Sequence, residues 1–451
     1  MNRAFLFLQG NSSHFFLALG RALAERGYPV RRINVCGGDR YFWGDWNAVD
    51  YRGPAQDFGT YVRGLVATEG ISDIVLHNDC RPLHRDAIEA IRDMACRVWV
   101  FEEGYIRPHW LTLEEGGING HSPLLQDPQG PSCNRDVAIS SEPDYVPVLP
   151  AMRRRVIYDF QWQIWNYLHW LRYPKYRTHR PFPIWAEYAT WTRRLVTLPL
   201  RRRQAVSIIE RRIAEGDEFF VFPMQLDSDS QVRLHSSHNN MTDALDYVIR
   251  SFASHTSDSV RLVVKAHPLD NGWTNFRRRT REIAGRYGVS GRVDYIDGGD
   301  LQALVRGARG VVTLNSTVGL IALDLGRPLV CLGKAIFDRP GLTFQDGLDD
   351  FWSKATMPDK ELFADFRRRL LKRSMINGDY YTPAGIRLAV ANAIARFEGA
   401  GRALAEIGGP GSSLGAERPE RHDRRNVVDE AHAKVGISRS QKMDVSVAAR
   451  P

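Results

Sequence analysis

What the chain lacks narrows it first. Its 451 residues contain no apolar run long enough, about eighteen residues, to suggest a transmembrane helix. The start, MNRAFLFLQG, has only a short apolar run and no cleavage-site pattern, so it reads as a first strand rather than a signal peptide. Cysteine is scarce. The five (Cys36, Cys80, Cys96, Cys133, Cys331) are scattered without metal-type pairing, which points to reduced thiols in a cytosolic protein and to no resident metal. There are no internal repeats and no recognised nucleic-acid-binding motif. Acids are scarce in one place: between residues 151 and 203 only Asp159 and Glu187 stand against twelve Arg or Lys, although the whole chain has a net charge of just +9. Beyond residue 399 large apolar side chains become few, and a mostly disordered tail is expected over 401–451.

What is present alternates in the manner of an α/β protein. Apolar runs at 4–8, 30–35, 71–77 and 98–101 read as strands, with helical spacing at 15–26 and 85–95. Polar residues fall just past each strand end: Gln-Gly-Asn-Ser-Ser, then Cys-Gly-Gly-Asp, then Asn78, Asp79, Cys80 and Arg81, then Glu102, Glu103 and Gly104. Singly, such clusters also serve as plain turns. The pattern repeats after a helix at 205–216. A strand at 218–223 delivers Gln225, Asp227 and Asp229; a run at 262–264 ends at Lys265, Ala266, His267 and Pro268; a run at 310–314 ends at Asn315, Ser316 and Thr317, before a helical stretch to 325. Strands ending in polar residues, one feeding a helix start, describe the carboxyl edge of a parallel sheet, where nucleotide phosphates bind. The plainer alternative is that Ser316 and Thr317 cap a helix and Pro268 fixes a turn. Further helices are expected at 241–254, 355–372 and 383–398.

The acid-poor segment interleaves Trp162, Trp165, Tyr167, Trp170, Tyr173, Tyr176, Trp185, Tyr188 and Trp191 with its cations. A membrane-surface helix carries that mixture, because rings sit at headgroup depth and cations meet anionic lipid. Inward-packing aromatics of an ordinary helical insertion would look the same. Single-stranded nucleic acid could stack on such rings, but no motif accompanies them.

Several unusual strings now stand together: FLQGNSSHFF, RINVCGGDRYFW, NDCRPLHR, VFEEGYIRPHWLTLE, QLDSDSQVRLHSS, KAHPLD, YIDGG, LNSTVGL and PGLTFQDGLDDFW. Together they resemble the bacterial capsular polysaccharide biosynthesis proteins of the KpsS/LipB type, in order over residues 4–385. The resemblance implies a β-Kdo transferase that places Kdo from CMP-Kdo on a (lyso)phosphatidylglycerol acceptor. It implies work beside other capsule assembly proteins, in the cytoplasm and peripheral to the inner membrane. The implied fold is two Rossmann-like domains facing across a cleft, glycosyltransferase-B-like. The division is 1–150 on the acceptor side, 151–204 as the aromatic, basic helical segment, 205–352 for the CMP-sugar and 353–400 as helices packing back.

Similarity to bacterial sialyltransferases adds two signatures: an acidic pair before Gly, matched by Glu102 and Glu103, and His-Pro with a Ser/Thr pair, matched by His267, Pro268, Ser316 and Thr317. These imply phosphate contacts from His267, Ser316 and Thr317, with Lys265, Asn315 and Gln225 beside them. A β-linked donor giving a β product means retention, hence two displacements. Asp229, in a Gln-x-x-x-Asp string, is assigned the nucleophile with Asp227 second, and Glu102 or Glu103 the acid/base. Arg81 is assigned to a sugar or lipid phosphate, with Asp79 orienting it or simply pairing with it. Asp-Ser-Asp could instead be a metal-binding D-x-D. A monophosphate leaving group met by His267, Lys265 and a helix N-terminus needs no metal, and no cofactor is expected. Two other roles compete: a non-catalytic export or assembly protein, and a transferase for another CMP-linked acid sugar.

Overall fold

A parallel strand covered on both faces has to be apolar almost throughout. FLF, DIVLH, FFVFP and GVVT satisfy this: every residue of these runs is buried. They are the central strands of two sheets in the computed structural model, which describes residues 3–126, 141–149, 151–178, 184–227 and 238–399.

The first sheet contains β1 (Phe5–Phe7), β2 (Val30–Asn34), β3 (Ala48–Asp50), β4 (Asp73–His77), β5 (Arg97–Glu103) and β6 (Trp110–Glu115). The second contains β7 (Phe219–Pro223), β8 (Arg261–Lys265), β9 (Val293–Ile296), β10 (Gly310–Thr313) and β11 (Leu329–Cys331). A last strand, β12 (Met375–Asn377), returns to the first sheet, giving the orders β12-β6-β5-β4-β1-β2-β3 and β11-β10-β7-β8-β9. Strands β1 to β5 are parallel, as is the whole second sheet, while β6 and β12 add antiparallel edges. Counted within itself, each parallel set has the order 3-2-1-4-5. These are two Rossmann-like domains, with switch points between β1 and β4 and between β7 and β10. The glycosyltransferase-B-like α/β class expected from the sequence is the one observed.

The helix Pro383–Phe397 packs on the first sheet: Ala389, Ala393, Ile394 and Phe397 share a buried cluster with Phe5, Phe7, Trp99 and Phe101. The aromatic, basic segment forms two helices, Met152–Leu168 and Ile184–Ala214. The second runs on through the helix expected separately at 205–216, so residue 205 is no helix start. The helix expected at 355–372 is Lys360–Ser374, preceded by Leu348–Lys354.

Cys-Gly-Gly-Asp begins a helix, Gly37–Trp43, and is not a bare turn. Its glycines permit a close approach. A Cβ on Gly37 would stand 2.0 Å from the Trp165 carbonyl oxygen, and one on Gly38 2.4 Å from the Trp162 ring. The helix Met152–Leu168 is seated here, with Asn166 Oδ1 accepting the Gly38 N–H at 2.7 Å.

Candidate active site

At the second sheet's switch point, Gln225 lies two residues past β7. Its Nε2 donates to Asn315 Oδ1 at 2.9 Å, and its Oε1 accepts the Asn315 N–H at 3.4 Å. Both residues are buried, so the pair ties the β7 and β10 ends into one floor. Ser316 Oγ accepts the Val318 N–H at 3.3 Å, while Thr317, at the N-cap of Val318–Asp324, makes no side-chain capping bond. Of the two hydroxyls, only Ser316 is used by the helix start.

Beyond β8, His267 is half-buried, and its Nδ1 accepts the Leu269 N–H at 3.1 Å, which leaves the proton on Nε2. Burial pushes its pKa down to about 4, and the charges of Arg107, Arg194, Lys265 and Arg155 act in the same direction. His267 is therefore a neutral Nε2–H donor near pH 7, not a cation. Pro268 follows it, exposed. Lys265 is buried, with Nζ donating to the Gly298 carbonyl at 2.9 Å, and burial lowers its pKa. Its ammonium is thus already engaged at the β9 turn. Asp227 Oδ1 accepts the Met241 N–H at 2.8 Å, the role of a helix cap. Asp229 lies outside the described residues.

In the first sheet, Glu102 and Glu103 end β5. Asn78 Nδ2 donates to Glu102 Oε2 at 2.8 Å, the Glu103 N–H to Glu102 Oε1 at 3.1 Å, and His77 Nε2 stands 3.7 Å away. Glu103 Oε1 pairs with Arg155 at 3.0 Å and accepts the Tyr381 hydroxyl at 3.3 Å. Arg155 therefore serves both halves, pairing with Glu103 and acting on His267. Arg107, three residues beyond Gly104, does the second as well. Strand ends from both sheets meet in one electrostatic neighbourhood.

Arg81 and Asp79 do not act as a pair. Arg81 donates to the Gly10 carbonyl at 2.8 Å and approaches His77 Nδ1 at 3.3 Å. Asp79 Oδ2 accepts the Ile118 N–H at 3.1 Å and stands 3.1 Å from His121 Nδ1, which raises the His121 pKa. Asp79, Cys80 and His121 hold their ligand-type atoms within 4.8 Å of one another. Hydrogen bonds from His121 and from the Cys80 thiol to Asp79 already account for that closeness.

Arg194 and Arg201 pair with buried Asp297 at 2.7 and 3.1 Å, and Arg194 also donates to the His267 carbonyl at 3.3 Å. Beside them a cavity of about 110 Å³ is lined by Arg193, Arg194, Arg201, Asp270, Arg277 and Tyr295, among others. Neither His267 nor Glu103 lines it.

Sequence reasoning missed His77, Arg107, His121, Arg155 and Arg194. His77 closes β4 and was within reach of the strand-end rule. The arginines look like any other surface cation until the two sheets are brought together.

The family model "Capsule polysaccharide biosynthesis protein" matches residues 72–381. The chain is 32% identical over 382 residues to the capsule polysaccharide export protein KpsS of Escherichia coli, covering 84% of this chain and 97% of that one. It is 31% identical over 391 residues to the capsule polysaccharide modification protein LipB of Neisseria meningitidis serogroup A, covering 84% and 91%. Among solved structures, the KpsC beta Kdo 2,7 transferase of Thermosulfurimonas dismutans aligns over 88% of this chain and 99% of its own, at 14% identity and TM-score 0.44.

Proposed function

The chain belongs to the capsule polysaccharide biosynthesis family, and we propose that it is a glycosyltransferase of that pathway. In this proposal it is a retaining β-Kdo transferase that moves Kdo from CMP-Kdo to a (lyso)phosphatidylglycerol acceptor. One observation supports the proposal: Arg155 pairs with Glu103 at 3.0 Å while its charge also bears on His267, so the end of β5 lies within electrostatic reach of the phosphate-type donor beyond β8. The charges of Arg107, Arg194, Lys265 and Arg155 all bear on His267, a positive surrounding that suits the anionic phosphate of a CMP-linked acid sugar, although Arg155, Arg194 and Lys265 also hold protein partners.

The roles follow the chemistry. His267 Nε2–H donates to the donor phosphate as the bond to the anomeric carbon breaks and CMP leaves with the electron pair. The Asp229 carboxylate forms the new bond to that carbon. Glu103 then takes the proton of the acceptor hydroxyl as its oxygen displaces Asp229, and two inversions give retention. Glu102, with its oxygens accepting from Asn78 and from the Glu103 N–H, holds the end of β5 in place beside this group. The E. coli relative is named an export protein. A purely assembling role leaves unexplained why the polar residues of both sheets converge on strand ends.

Incubation with CMP-Kdo and a short-chain phosphatidylglycerol should give CMP and a Kdo-lipid seen by mass spectrometry. CMP-sialic acid in a parallel reaction decides the donor. No product from either donor, with folded protein, would sink the transferase assignment.

A further inference from the structure

The helix Phe276–Arg286 opens with three consecutive cations. Arg277, Arg278 and Arg279 stand in its first turn, and no acid accompanies them there. The N-terminal end of a helix is its positive end, so cations are unfavourable at that place and an anion is favoured. Glu282, one turn further on, meets Arg278 at 2.6 Å and Arg279 at 3.6 Å. Arg277 is not part of that group. Its guanidinium lies over the Tyr295 ring, 5.4 Å from the centroid, and lines the cavity of about 110 Å³ at the start of the helix.

The cavity is lined for charge of one sign. The helix Ile184–Ala214 adds Arg193, Arg194 and Arg201 to Arg277, and Asp270 is the one acid among the described lining residues. Asp270 is already engaged: its Oδ1 accepts the Gly272 N–H at 3.1 Å, and its Oδ2 stands 3.6 Å from Arg194. Asp297, just behind, pairs with Arg194 and Arg201. Two acids thus answer two of four guanidiniums, and the charges of Arg193 and Arg277 are left over. Arg194 also donates to the carbonyls of Asp270 and His267, which fixes it as a rigid wall. Burial, with Asp270 and Asp297 nearby, raises the Tyr295 pKa, so its hydroxyl keeps its proton and can donate. That hydroxyl has no hydrogen-bond partner among the described residues. Planar guanidiniums match the oxygens of phosphate in pairs. A cavity of roughly 150 Å³ admits benzene, so about 110 Å³ takes a phosphate-sized group and no nucleotide.

We propose that this cavity is a second anion site, separate from the one at His267, and that it takes a phosphate group between Arg193, Arg277, the Tyr295 hydroxyl and the start of Phe276–Arg286. The ligand is a free phosphate or the phosphoryl end of a larger molecule. The site stands whichever donor His267 serves.

The probe is inorganic phosphate, titrated into the full chain by calorimetry at an ionic strength held constant with sodium chloride. The wild type should bind it and melt higher in its presence. Arg277→Gln should bind at least about tenfold more weakly. Arg281→Gln, which changes an exposed arginine of the same helix outside the cavity, should bind as the wild type does. Arg277→Glu sets a carboxylate at the helix start, so it should abolish binding yet melt higher than the wild type without phosphate. His267→Ala should keep the wild-type affinity, because His267 does not line the cavity. A sugar phosphate such as glucose 6-phosphate separates the two sources: tighter binding than phosphate selects the phosphoryl end of a larger molecule, weaker binding the free anion. The proposal is overturned if phosphate leaves the wild type unchanged, or if Arg281→Gln weakens binding as much as Arg277→Gln. It is also overturned if His267→Ala abolishes binding, which places the anion at the donor site.

Discussion

Replacing His267 tests the donor half of the site most directly. The ring accepts the Leu269 N–H at Nδ1, so its proton sits on Nε2 and needs no rearrangement to meet a phosphate oxygen. Loss of one preorganised donor of this kind costs on the order of 3 kcal/mol, roughly a hundredfold in rate. His267→Ala should therefore lower CMP release about a hundredfold and weaken competition by CMP. His267→Gln, which keeps a neutral N–H, should recover part of the loss. The pH dependence gives a second handle. With its pKa pushed down to about 4, the ring stays neutral from pH 5.5 upward, so the free enzyme should show no activity break near 6.5 from this residue. Stability carries the sign as well. Because the folded ring resists the proton, the unfolded chain binds it first between pH 6.5 and 4, and stability falls as pH drops through that window. Solvent around a half-buried ring makes about 3 kcal/mol an upper bound. His267→Gln should flatten that part of the melting-temperature profile. If CMP competes equally well against wild type and His267→Ala, the phosphate role is wrong.

Three further changes separate the remaining roles. Asp229→Asn should keep CMP binding yet abolish transfer, and the wild type held with CMP-Kdo alone should carry a Kdo adduct on the peptide containing Asp229. An adduct elsewhere removes Asp229 from the nucleophile's place. Glu103→Gln should slow transfer by about 10²- to 10⁴-fold with donor binding intact, and Glu102→Gln by clearly less; the reverse ranking in single-turnover assays exchanges the two roles. Glu114, buried on β6, has its pKa pushed up by burial to about 7, so its folded-state proton stabilises most below pH 4.5 and that gain is lost as pH rises to 7. Glu114→Gln should therefore stabilise by as much as about 3 kcal/mol at pH 8 and by little at pH 5, and equal melting shifts at both pH values would contradict it.

Strand ends were legible because a parallel strand announces itself as an apolar run and its end as a change to polar residues. That rule found the ends of β1, β2, β4 and β5 in the first sheet and of β7, β8 and β10 in the second. It missed the short or interrupted runs of β3, β6, β9 and β11, and also β12, three residues that form a strand only because β6 offers an edge. Gly37 and Gly38 read as breakers because that is their local meaning; only the approach of Trp162 and Trp165 turns them into a packing requirement. The pairings of Glu103 with Arg155 and Asp297 with Arg194 cross 52 and 103 residues of chain, and no local pattern encodes them.

The acid-poor segment shows why counting charge along a chain misleads. Arg201, first of the run Arg201, Arg202 and Arg203 that closes the segment, pairs with buried Asp297, and Arg202 packs beside Gly298. Arg172 pairs with Asp50, and Arg155 with Glu103. These cations are spent on the fold and the cleft, and breaking a buried pair such as Arg194–Asp297 costs about 3–5 kcal/mol of stability. Removing the triplet would thus confuse folding with binding. Arg153, Arg154, Lys175 and Arg177, near the two ends of Met152–Leu168, remain exposed, as do Arg193, Arg202 and Arg203. On that one helix Arg155 reaches Glu103 while its neighbour Val156 points outward.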